Sequence, residues 1–262
     1  MKRALIIIQG LLMAFASFVI VSFIYTIVTS VFVLITGISE ANPQMDYCLM
    51  VIAVLIAIVL FFLWYKRYAR YGILEQAELK DIVTIKKMGV YFMMGIGCQL
   101  FVSGALSIIR PLFEKLFSYY DQTISSLFDA DIIVVAVYVI ILAPIIEEFM
   151  LRGILFNRLR NGVSFTAANL IQATVFGIYH WDIIQGLYAF GIGLLLGYVY
   201  EKTRTLLAPI IVHVLINGSG FLVQFLKLGQ YIPIVIAIIV GGGLLFVGIY
   251  IFTKSTNFID KV

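Results

Sequence analysis

Eight separate stretches of this chain run apolar for about the length that a helix needs to cross a bilayer, and nothing else constrains the fold as strongly. Hydrocarbon offers no water to an open backbone group, so a crossing segment bonds to itself as a helix, for which about 20 apolar residues suffice. The stretches lie near 5–36, 48–65, 88–109, 131–157, 165–184, 186–200, 206–226 and 231–253. Only the segment from His180 to Gly186 separates the fifth from the sixth, so a re-entrant pair is the alternative there. Hydrophobic residues make up 63% of the chain and charged ones 12%, too few charges to cover a water-soluble surface. The expected fold class is all-α: a polytopic membrane protein with about eight transmembrane helices, read as a single membrane domain over 1–262.

The cations say which way it should lie. Short cytoplasmic loops retain Lys and Arg. With the N-terminus inside, 15 of the 18 fall in cytoplasmic segments, and only Arg110, Lys115 and Lys227 in external ones. Both termini are therefore expected in the cytoplasm of a multi-pass cell-membrane protein. Lys2, Arg3 and Ala14-Phe15-Ala16 imitate a cleaved signal peptide, but the apolar run continues to Ile35, the length of a retained span. Tyr65 to Lys87 reads as a cytoplasmic loop with an amphipathic helix, and Pro111 to Asp129 as an interfacial helix. Gly241-Gly242-Gly243 should let the last helix approach a neighbour closely. The net charge of +4 is explained by this placement, and no basic stripe interleaved with aromatics points to nucleic acid. Cys48 and Cys98 read as small buried hydrophobes.

Ionisable groups in a span cost about 2.5–3.5 kcal/mol each at the bilayer centre, so those that persist there point to function. Glu147 and Glu148 close the apolar run from Ile132 to Ile146, Arg152 follows one turn later, and the only two histidines, His180 and His213, sit in otherwise apolar segments. Neighbouring carboxylates stand about 100° apart on a helix, so one is expected to do chemistry while the other supports it. Arg152, at i+4 from Glu148, is placed to hold that carboxylate in an ion pair and leave Glu147 for the chemistry; a purely structural clamp is the other reading. Pro144 removes a backbone hydrogen bond just before the pair and is expected to kink the helix. Phe176 shares a helical face with His180, and Asn217 shares one with His213. Measured from the cytoplasmic ends at 1.5 Å per residue, Glu147, His180, His213 and Asn217 come to depths of about 16, 21, 10 and 16 Å, one layer of the bilayer.

Three of these groupings resemble the motifs of a known family. Glu147-Glu148-Phe149-Met150-Leu151-Arg152 resembles its EExxxR motif, Phe176-Gly177-Ile178-Tyr179-His180 its FxxxH motif, and His213-Val214-Leu215-Ile216-Asn217 its HxxxN motif. The family is the CPBP group of CAAX prenyl proteases and bacteriocin-processing enzymes, also called Abi. The likeness covers about residues 140 to 225, inside an expected catalytic core over 131–226. It implies an eight-helix intramembrane peptidase in which Glu147 and His180 activate a water and His213 with Asn217 stabilises the oxyanion. Glu148, Arg152 and Phe176 are then in support.

The residues taken alone allow the same division, since a carboxylate beside an imidazole can take a proton from water, and an amide with an imidazole can donate to developing negative charge. The implied partners are the lipid bilayer and a membrane-embedded or lipidated peptide: a prenylated C-terminus, a peptide pheromone, a bacteriocin precursor or a membrane-protein stub. Glu147, His180 and His213 are also candidate ligands for one divalent metal, zinc above all, with water in the fourth position. The HExxH spacing of familiar zinc proteases is absent, and Asn217 suits an oxyanion better than a zinc shell, so no tightly bound metal is expected. Two rivals stand beside the peptidase: a non-catalytic membrane immunity or regulatory protein, and a small transporter with a carboxylate-histidine proton relay.

Overall fold

The computed structural model describes residues 2–38, 42–68 and 79–256. Nine helices of more than one turn organise them: α1 (Lys2–Thr36), α2 (Pro43–Tyr68), α3 (Ile85–Ile109), α4 (Glu114–Ser126), α5 (Ile132–Arg160), α6 (Phe165–Tyr179), α7 (Ile183–Thr203), α8 (Leu207–Phe225) and α9 (Ile234–Thr256). No strand occurs among the described residues. Seven of the helices, all but α4 and α6, are long and apolar enough to cross a membrane. The chain is thus an all-α polytopic membrane protein.

One segment differs from the expected set of eight. The fifth, expected over 165–184, is a helix of 15 residues, about 22 Å long. It stops because the chain turns at His180, Trp181 and Asp182, and α7 already begins at Ile183. The Asp182 carboxylate caps that start, accepting the Gln185 N–H at 2.6 Å. Arg70 and Lys261, two of the cations counted above, lie outside the described residues, as does most of the amphipathic loop helix expected between Tyr65 and Lys87. Within that loop a single turn, Leu79–Ile82, precedes α3.

The chain forms two compact units. The first comprises Met1–Arg70 and Asp121–Ala168, the second Tyr71–Tyr120 and Asn169–Val262. In the first, α1 packs on α2 and on the C-terminal half of α5. In the second, α9 lies along α3, which also packs on α8, while α7 meets both α8 and α9. Phe117 and Tyr120 of α4 are buried, and the Arg110 guanidinium lies over the Phe117 ring at 4.5 Å.

Small residues set the closeness of α3 and α9. A Cβ added at Gly97 would stand 2.5 Å from Leu245 N, and one at Gly241 would stand 2.5 Å from Phe101 N. Of the glycine triplet expected to serve this approach, Gly241 makes it, Gly242 only touches the Phe101 ring, and Gly243 faces nothing within 4 Å. Gly241→Ala is expected to destabilise the protein by roughly 1–3 kcal/mol through backbone displacement, and Gly243→Ala to leave it unchanged. Thermal melting of the two purified variants in detergent checks the contrast.

Candidate functional site

In the first unit the acidic pair is carried by α5. That helix starts at Asp131, whose carboxylate accepts the Ile133 and Val134 N–H groups at 2.9 and 3.1 Å. It does not keep one register. The α-helical piece Ile132–Ala136 gives way to a π-helical stretch, Val137–Leu142, then α-helix over Ala143–Glu148, a second π-helical stretch over Phe149–Phe156, and α-helix to Arg160. Pro144 lies in the first turn of the central piece, so the departure expected from its missing N–H takes the form of a widened turn just upstream. Such i→i+5 stretches are rare and gather at functional positions. Glu147 and Glu148 end the α-helical piece that the two π stretches enclose.

All three charged groups of the EExxxR motif are buried. Glu147 is 8% exposed, and Glu148 and Arg152 are fully enclosed. Arg152 Nη1 donates to Glu148 Oε1 at 2.8 Å, the ion pair that the four-residue spacing predicts. Arg152 faces the field of both carboxylates, that of Glu148 the more strongly. The neighbouring Phe149 turns its ring against Tyr65 at 5.9 Å and Phe62 at 6.3 Å, walling this part of the helix with aromatic surface.

In the second unit, Gln172, Phe176 and His180 stand four residues apart on α6 and so form one stripe. Gln172 Nε2 donates to Gly193 O at 2.8 Å and to Asn169 Oδ1 at 2.7 Å, while Asn169 Nδ2 donates to Leu194 O at 3.0 Å. These buried amides tie α6 to α7 at a separation that leaves no room for a Cβ at Gly197, which would collide with Asn169 Oδ1. The tie sets how α6 is rotated. Phe176 consequently presents its ring edge-on to both imidazoles, 4.9 Å from His180 and 5.7 Å from His213. His213 on α8 is 2% exposed, Asn217 one turn later is half-buried, and His180, just past the end of α6, is half-buried too.

The structure therefore brings Glu147, Glu148 and Arg152 together in the first unit, and Phe176, His180 and His213 together in the second. Taken unit by unit, the described residues hold no group of three His, Cys, Asp or Glu side chains able to share one metal ion. Sequence reasoning passed over the Asn169–Gln172 pair. Two amides three residues apart in an apolar stretch were a readable signal, by the same rule that singled out the glutamates.

Fold and side chains together define a polytopic α-helical membrane protein with buried ionisable groups on α5 and α8 and a half-buried histidine just past the end of α6. Residues 129–219 match the family described as type II CAAX prenyl endopeptidase Rce1-like. Over 92 residues the chain is 30% identical to the Bacillus subtilis (strain 168) protein named "Putative membrane peptidase YdiL", covering 35% of this chain and 38% of that protein. Over 96 residues it is 31% identical to "Membrane-embedded CAAX protease MroQ" of Staphylococcus aureus (strain USA300), covering 34% of this chain and 39% of that one. The chain thus spans about two fifths of the length of the curated relatives it matches. No solved structure matches it. The segment 129–219 is of the CPBP kind, as its three motifs imply.

Proposed function

We propose that this chain is an intramembrane endopeptidase that hydrolyses a peptide bond in a membrane-embedded or lipidated protein or peptide by means of an activated water. One observation carries the reading: EExxxR, FxxxH and HxxxN lie complete and in order within the 91 residues that match type II CAAX prenyl endopeptidases. The core over 131–226 would supply the chemistry. Glu147, aided by His180, takes a proton from water as its oxygen attacks the scissile carbonyl carbon. His213 and Asn217 donate hydrogen bonds to the oxygen that becomes negative. The proton taken by Glu147 passes to the departing amine as the C–N bond breaks, so one water is consumed and two termini are formed.

A divalent metal, held by Glu147, His180 and His213, would supply Lewis-acid polarisation of the same carbonyl. The reading adopted does without a tightly bound metal, because the amide of Asn217 is a better donor to an oxyanion than a zinc ligand. Purified active protein is expected to contain zinc well below one equivalent and to keep its activity under chelation. Elemental analysis beside activity with and without chelator checks this. Stoichiometric zinc lost together with activity overturns it.

The distribution of Lys and Arg, 15 of 18 on one side, puts both termini in the cytoplasm when residues 165–184 cross the bilayer together with the seven long helices. A reporter active only outside the cytoplasm, fused to the C-terminus, is expected to stay silent, and a signal from it reverses the assignment. The function itself is tested by comparing the proteomes of cells that carry the wild-type chain with those that carry Glu147→Ala. Uncut membrane-associated precursors should accumulate in the variant. Identical proteomes would favour a non-catalytic membrane protein.

A further inference from the structure

The end of α6 does more than stop a helix. His180 N–H turns to Gly177 O at 3.4 Å and Trp181 N–H to Ile178 O at 3.2 Å, so the last turn tightens from i→i−4 to i→i−3 bonding. Trp181 then adopts φ +56°, the left-handed region that a bulky side chain rarely occupies, although its indole is 89% exposed and gains little packing by being there. Asp182, 7% exposed, takes the capping position of α7 immediately afterwards, so the reversal is held from both sides. Between the two helices the His180 ring folds back on its own helix and places Nδ1 2.9 Å from the backbone oxygen of Phe176. The rings of Phe176 and Tyr179, with centroids 4.9 and 5.6 Å away, fix the plane of the imidazole.

A carbonyl oxygen can only accept, so the nitrogen facing it must carry the hydrogen. A neutral imidazole has one N–H to place, and which nitrogen holds it is set by the bond the other groups make. We infer that residues 176–181 are a tautomer lock, in which the Phe176 carbonyl and the left-handed turn at Trp181 hold His180 as the Nδ1–H form and leave Nε2 as its only basic nitrogen. Trp181 acts as a positioning residue. What Nε2 is used for rests on the reading proposed above, where His180 aids Glu147; the lock itself does not.

Because the chain has only two histidines, the lock can be read directly. Full-length protein labelled with ¹⁵N at histidine, purified in detergent and held at a pH where imidazole is neutral, gives two pairs of ring-nitrogen resonances, and His213→Gln identifies the pair of His180. The expected pattern is a pyrrole-type Nδ1 and a pyridine-type Nε2, the reverse of the form that free imidazole side chains prefer in water. An Nε2–H pattern, or averaging between the two forms, overturns the proposal. Trp181→Gly accepts the left-handed conformation without strain and should keep the pattern, whereas the β-branched Trp181→Val should mix the tautomers. A pure Nδ1–H pattern in Trp181→Val removes Trp181 from the lock. Failure of proteolysis in other variants leaves this spectrum untouched, so the two readings fail separately.

Discussion

Glu147→Gln is expected to abolish processing while the protein stays folded in the membrane. The substitution keeps the shape of a side chain that is 8% exposed and replaces its carboxylate with a neutral amide that cannot take up the proton. A positioned general base contributes roughly 10²–10⁴ in rate, and that is the loss to look for. His180→Ala should match it, and the double variant should be little slower than either single one, as residues acting on one water behave. The measurement is cleavage of a precursor identified by the proteome comparison, followed over time beside melting of each variant in detergent. Full activity in Glu147→Gln would end the assignment of this residue as the base.

Glu148→Gln is expected to do the opposite, costing more stability and less activity. The carboxylate and the Arg152 guanidinium it meets at 2.8 Å are both fully enclosed. Taking the negative charge from a buried pair while leaving the positive one costs about 3–5 kcal/mol, because no water replaces the partner. The double variant Glu148→Gln/Arg152→Met should recover part of that loss, since it removes both charges. Thermal melting of the two variants against wild type checks the sign and the order. A Glu148→Gln protein as stable as wild type but without activity would move the catalytic role from Glu147 to Glu148.

The parts of this protein that could be read from its residues are those governed by local or one-dimensional rules. Span length follows from bilayer thickness and the rise of a helix, which is why α1, α2, α3, α5, α8 and α9 fall within a few residues of the apolar runs. The Glu148–Arg152 pair is an i,i+4 relation on one helix and needs no knowledge of what lies around it. The end of α6 was readable only roughly, as a break somewhere between His180 and Gly186. No proline or glycine marks the point just after Tyr179 where the helix stops, and the chain turns there through a left-handed tryptophan that propensity disfavours.

What the sequence determined by itself is the class: helices of bilayer length, the side chains too costly to leave in lipid without purpose, and the three motifs that group them. Tertiary structure decided what those side chains face. Whether Gly241 or Gly243 admits a neighbour depends on how α9 is rotated against α3, and the placement of Phe176 against both imidazoles depends on amide bonds from Asn169 and Gln172 to the backbone of α7. The widened π turns on either side of Glu147 and Glu148 belong to the same category. Helix rotation and register are chosen by packing between elements distant in the chain, and a periodic apolar pattern is nearly uniform around a helix that lies in lipid, so it carries little record of that choice.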